Sequence, residues 1–99
     1  MEYKYKFDPI AANEYEEAFI WYQERSEMAA DNFLIAVEEA IEAICNDPHR
    51  YRNTYKQLRE LALKKYPYHI IYYVDEKKKH VTITSLFHNK RDPKKKYKK

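Results

Sequence analysis

The apolar residues of this chain change their period once. Up to Asn46-Asp47-Pro48 they recur at steps of three and four; beyond that point they alternate. A chain that moves from a period of 3.6 to a period of 2 has to pack helices and strands as separate layers. Glycine is absent altogether. Every turn must then be built from Asn, Asp, Pro or Lys, and no glycine-rich phosphate loop can exist, which removes nucleotide binding of the Rossmann and P-loop kinds.

The elements follow from the two periods. Tyr3 to Phe7 alternates aromatic and basic residues and reads as a short strand. Asp8-Pro9 is a cap followed by proline at the first helical position. Ala11, Tyr15, Ala18, Phe19 and Tyr22 then make the buried stripe of a helix reaching about Glu24. Ser26 caps a second helix whose stripe is Ala30, Phe33, Val37, Ala40, Ile41 and Ile44, closed by Asp47-Pro48. The short joint makes the two an antiparallel hairpin. Residues 49–56 read as a loop. Strands follow around Arg59–Leu63, Tyr68–Val74 and Val81–His88, the last two joined by a charged hairpin loop. The expected fold is α+β, β-α-α-β-β-β: a twisted antiparallel sheet with the helical hairpin on one face. Residues 1–99 form one domain, with 94–99 a basic, mobile tail.

The net charge of +3 conceals a division. Residues 1–47 carry −9 and residues 56–99 carry +10. Such a dipolar chain can draw a polyanion to its basic half, although two solvated faces would look the same in composition. Cys45 is the single cysteine, so no internal disulfide is possible and a reducing compartment is implied. There is no apolar run of membrane-spanning length and no signal-peptide pattern, which points to the cytoplasm and away from membranes. The four histidines lack metal-ligand spacing, so neither a metal nor another cofactor is expected.

Alternation puts His69, Tyr73, Thr82, Thr84 and His88 on the sheet face opposite the helices. If the hairpin loop is 76–79, a regular register sets His69 opposite Leu86. His88 is then its diagonal neighbour, about 7–8 Å away on the same face. Two imidazoles so placed could straddle a phosphate, one taking a proton from a ribose 2′-hydroxyl and one giving a proton to the leaving oxygen. Lys64, Lys65, Lys90 and Arg91 would hold the phosphate. A one-residue slip would send the two rings to opposite faces, and a histidine on an open sheet is often only a polar surface residue.

Together "AFIWYQERS", "AADNFLIAVEEAIEAICNDPHRY", "RELALKKYPYHIIYYV" and "VTITSLFHNKRDP" resemble the RelE/ParE superfamily of bacterial type II toxins, in its ParE-like plasmid stabilisation branch. The resemblance implies a toxin neutralised by a co-expressed antitoxin, an acidic segment of which folds across the basic side. It leaves the target open. Ribonuclease members cut mRNA on the ribosome, acting as metal-free endoribonucleases; gyrase-directed members trap DNA gyrase on cleaved DNA without hydrolysing anything; a degenerate member would bind only its antitoxin. His88 matches the C-terminal histidine of the family pattern and Arg91 the arginine after it. His69 stands where many members have arginine, and Lys64 and Lys65 stand where basic strand residues are expected. Two departures weigh against cleavage of the RelE kind: Asn89 follows His88 where a tyrosine is usual, and the middle-strand arginine is missing.

Overall fold

The computed structural model describes residues 3–90. β1 (Lys4–Phe7) leads into α1 (Pro9–Gln23) and α2 (Glu27–Asn46), and the chain continues through β2 (Arg52–Tyr55), β3 (Leu58–Ala62), β4 (Tyr68–Asp75) and β5 (His80–His88). The helices start where their caps allow. Asp8 accepts a hydrogen bond from the Ile10 amide (3.3 Å) and Ser26 Oγ one from the Ala29 amide (2.9 Å). Asp47 donates the last amide bond to Ala43 (3.3 Å), and Pro48 stops the helix. The helical hairpin lies on one face of the sheet. Its buried stripe meets Leu63, Ile70, Tyr72, Val81, Ile83 and Leu86 in one core. Phe33 is fully buried at the centre, with Tyr22, Tyr66 and Tyr68 ring centroids 4.7, 5.4 and 5.6 Å away.

The five strands run in the order β1-β5-β4-β3-β2. Two features correct the expected antiparallel four-strand sheet. Residues 49–56 are not all loop: Arg52–Tyr55 pairs antiparallel with β3 as an edge strand. Its mostly exposed Arg-Asn-Thr-Tyr run carries no apolar alternation, so period alone could not disclose it. The sheet is also mixed, because β1 runs parallel to β5, with Lys4 opposite His80 and Phe7 opposite Ile83. That direction delivers the Asp8 amide to the Ile83 carbonyl (2.9 Å), from where α1 can lie back over β5.

With no glycine available, Lys56 and Lys79 take the left-handed backbone region, with φ of 51° and 52°. Lys79 closes the β4–β5 hairpin in the expected frame, with Asp75 opposite His80 and Asp75 Oδ1 accepting from the Lys78 amide (3.2 Å). The frame does not persist. Tyr72 pairs with Ile83, but Ile71 pairs with Ser85, so β5 holds one extra residue, Thr84.

Candidate functional site

Five of the six candidate residues lie at one end of the sheet: Lys64, Lys65, His69, His88 and Lys90. Lys64 and Lys65 occupy the β3–β4 turn, which is tightened by amide bonds from Leu63 to the Tyr68 carbonyl (3.0 Å) and from Tyr68 to the Tyr66 carbonyl (2.8 Å). The Asn89 amide donates to Pro67 O (2.8 Å) and ties the end of β5, with Lys90, to the same turn. All three lysines are exposed. His88 ends β5 there, and its Nδ1 accepts from the Lys90 amide (3.0 Å). Nδ1 therefore presents its lone pair, and the proton of the neutral ring sits on Nε2. Arg91 lies outside the described residues, as does the basic segment 94–99.

His69 and His88 do not share a face. The extra residue in β5 moves the register by one, so His69 stands opposite Phe87 and Tyr68 stands opposite His88. His88 accordingly falls on the helical side, its ring 5.0 Å from that of Tyr68 at 83°. His69 falls on the other side, where Nδ1 meets Asn89 Oδ1 and Nε2 lies 4.0 Å from Glu60 Oε1. The paired-imidazole geometry expected from a regular ladder is thereby overturned, because two rings separated by a sheet cannot flank one phosphate.

The far face also differs from the bare polar surface expected of it. Ile71 is 0% and Phe87 3% exposed, and Thr82, Thr84 and Glu60 are buried as well. Phe87 belongs to this face and Leu86 to the core, the reverse of what plain alternation assigns.

The shifted stretch is held by a side chain 71 and 72 residues away in sequence from its partners. β1 stops alongside Ile83, and among the described residues no strand follows it along the outer edge of β5. Glu14 of α1 takes that place: its Oε1 accepts from the Ser85 hydroxyl (2.8 Å) and from the Leu86 amide (3.0 Å). Across the ladder, the Thr84 hydroxyl donates to the Ile71 carbonyl (3.2 Å). A sign of this is present in the sequence, since the step from Ile83 to the next core residue, Leu86, is three and not two.

A second polar cluster, which sequence reading missed, lies at the opposite end. Glu76, in the hairpin loop, is bonded to His49, to the Tyr3 hydroxyl (3.0 and 3.1 Å) and to Lys79 (3.2 Å). The His49 bond first, then Lys79, hold the Glu76 carboxyl down at about 2, well below the usual carboxylate range. Arg59 donates to the carbonyls of His49 (3.1 Å) and Tyr51 (2.7 Å), and the Tyr72 hydroxyl donates to Pro48 (2.6 Å) while burial pushes its pKa up. These bonds fasten the chain between α2 and β2 to the sheet. Every side chain in the cluster has a partner of its own, which is the arrangement of a clasp.

Beside the basic end, α2 and β3 enclose a groove of about 760 Å³. Its apolar lining includes Ile35, Ala36, Ala40, Ala43, Leu61 and Leu63, and its charged lining is Arg50, Lys64, Lys65 and Glu39.

The fold is thus a helical hairpin on a five-strand mixed sheet, with exposed lysines at one end and a groove beside them. Residues 5–93 match the family model described as the ParE toxin of the type II toxin–antitoxin system parDE, and the chain belongs to that family. Among solved structures it is similar to the chromosomal ParDE toxin–antitoxin system from P. aeruginosa. That match has a TM-score of 0.74 and 14% identity, and covers 88% of this chain and 96% of that one. It is also similar to the isolated E. coli RelE toxin (TM-score 0.61, 14% identity, 95% and 92% covered). A third is the RelBE2 toxin–antitoxin complex from Mycobacterium tuberculosis (TM-score 0.59, 15% identity, 89% and 99% covered). At such identities these structures speak to the fold. A comparison with curated proteins found no match. Among the described residues no helix is long and apolar enough to cross a membrane.

Proposed function

We propose that this toxin arrests growth in the cytoplasm by occupying its target, DNA gyrase, and not by cutting mRNA on the ribosome. The observation that carries the reading is the extra residue in β5. It parts the only two histidines near the basic end and sets them on opposite sides of the sheet. General acid–base cleavage needs both proton-transfer groups within reach of one phosphate. Here His88 Nδ1 is already engaged by a backbone amide, and His69 is held between Asn89 and Glu60. Three exposed lysines without a paired acid and base suit binding. Membership of the ParE family supports gyrase as the target class.

The partner that restrains the toxin is an antitoxin, as in the ParDE and RelBE2 systems that share its fold. The α2–β3 groove suits an amphipathic segment with an apolar stripe for Ile35, Ala40 and Leu61 and acidic residues toward Lys64, Lys65 and Arg50. Ile35 is 51% exposed, so changing it leaves the core alone. Ile35→Lys is expected to weaken antitoxin binding at least tenfold, read by calorimetry, while the variant still arrests growth. Unchanged affinity would place the antitoxin elsewhere.

The target is tested with purified chain, gyrase, ATP and supercoiled plasmid. The expected result is gyrase-linked linear plasmid that accumulates with toxin concentration. Supercoiling at an undiminished rate, with no cleaved complex, would remove the proposal.

A further inference from the structure

We propose that the basic end of the molecule holds single-stranded DNA, with Trp21 as the stacking platform and Lys64, Lys65 and Lys90 on the phosphates. The choice of DNA over RNA rests on gyrase as the target; the binding surface itself does not. Trp21 is the only tryptophan of the chain and is 48% exposed near the end of α1. It is held ready: the Arg25 guanidinium lies 3.4 Å from its ring centroid and also donates to the Trp21 carbonyl (3.1 Å), which fixes one face of the indole.

Ring contacts carry this platform to the lysines. Trp21 touches Tyr22 (4.9 Å), and Tyr22 touches Tyr66 in the β3–β4 turn (5.5 Å). Tyr66 directly follows Lys64 and Lys65, and the Asn89–Pro67 bond brings Lys90 to the same turn. Neither residues 61–74 nor residues 81–90 contain an Asp or Glu, so no carboxylate from those segments neutralises the cations. The acids nearest Trp21 in sequence are Glu24, three residues on, and Glu17 and Glu16, four and five residues back in α1; all repel phosphate, which leaves the side facing Tyr22 and Tyr66 as the path for a strand. An exposed indole between cations recognises the flat faces of unpaired bases, which a duplex keeps stacked inside.

Trp21 is its own reporter. Titrating the full-length chain with a short oligothymidylate is expected to quench the tryptophan emission saturably. The affinity should fall with salt at a log–log slope of roughly −2, since each of three phosphate contacts on a single strand adds about −0.7. Trp21→Ala, its fold checked by circular dichroism, should weaken binding of a labelled strand roughly tenfold, the scale of one lost base stack. Lys64→Ala/Lys65→Ala should flatten the salt slope by about 1.4. Binding that leaves the emission untouched, duplex held as tightly as single strand, or oligouridylate preferred over oligothymidylate would each overturn the proposal. The gyrase assay is separate: strand binding without gyrase inhibition would leave this inference standing and remove the previous one, and the reverse would remove this one.

Discussion

Glu14 does the work of a missing strand. One of its carboxylate oxygens satisfies both the Ser85 hydroxyl and the Leu86 amide on the edge of β5 beyond β1. Removing it leaves two partly buried donors without that partner, which costs about 1–3 kcal/mol. Glu14→Ala is therefore expected to lower the melting temperature, by about 4–8 °C for each kcal/mol lost in a domain of this size. Glu14→Gln, which keeps an acceptor oxygen, should lose less. Equal melting of wild type and Glu14→Ala would mean that the edge is held otherwise. At the far end of the sheet, Glu76 acts through its charge. Its pKa is depressed in the folded chain to about 2, so its contribution is complete above about pH 4.5 and is lost as the pH falls toward 2. Glu76→Gln should flatten the acid limb of the stability curve over that window and leave the neutral limb's shape unchanged, as denaturant melts at stepped pH would show.

At the scale of elements, what was legible followed from strong local chemistry. Asp8-Pro9 and Ser26 announced both helix starts, and Asn46-Asp47-Pro48 announced the end of α2. The β4–β5 turn was legible from its charged loop, down to Asp75 opposite His80. The remainder depended on distant partners. β2 is a strand only because β3 offers it an edge. The shifted stretch of β5 is held by Glu14 in α1, and a regular ladder drawn from β4 and β5 alone carries His88 through to the wrong face. The candidate site suffered most from this. Its lysines needed only a turn to bring them together, whereas its histidine pair needed a regular register, which β5 does not keep. Leu86 offers a clean test of the register. Regular alternation would place it on the far face, but it is 3% exposed in the core beneath the helices, so Leu86→Ala should cost about 2–5 kcal/mol in chemical denaturation. A loss below about 1 kcal/mol would contradict the placing of Leu86 in the core.

For the whole molecule, charge division and layer architecture coincide. The helical half carries −9, and the residues from 56 onward, most of them strand and turn, carry +10. An acidic antitoxin segment in the α2–β3 groove would cover Lys64 and Lys65, which line it. The central claim, arrest by binding without RNA cleavage, is tested most directly by mapping mRNA 5′ ends in cells after induction of the wild-type chain and of His69→Gln/His88→Gln. The account predicts that both arrest growth alike and that transcripts show no new ends. Discrete new ends with the wild type that vanish with the double substitution would contradict it.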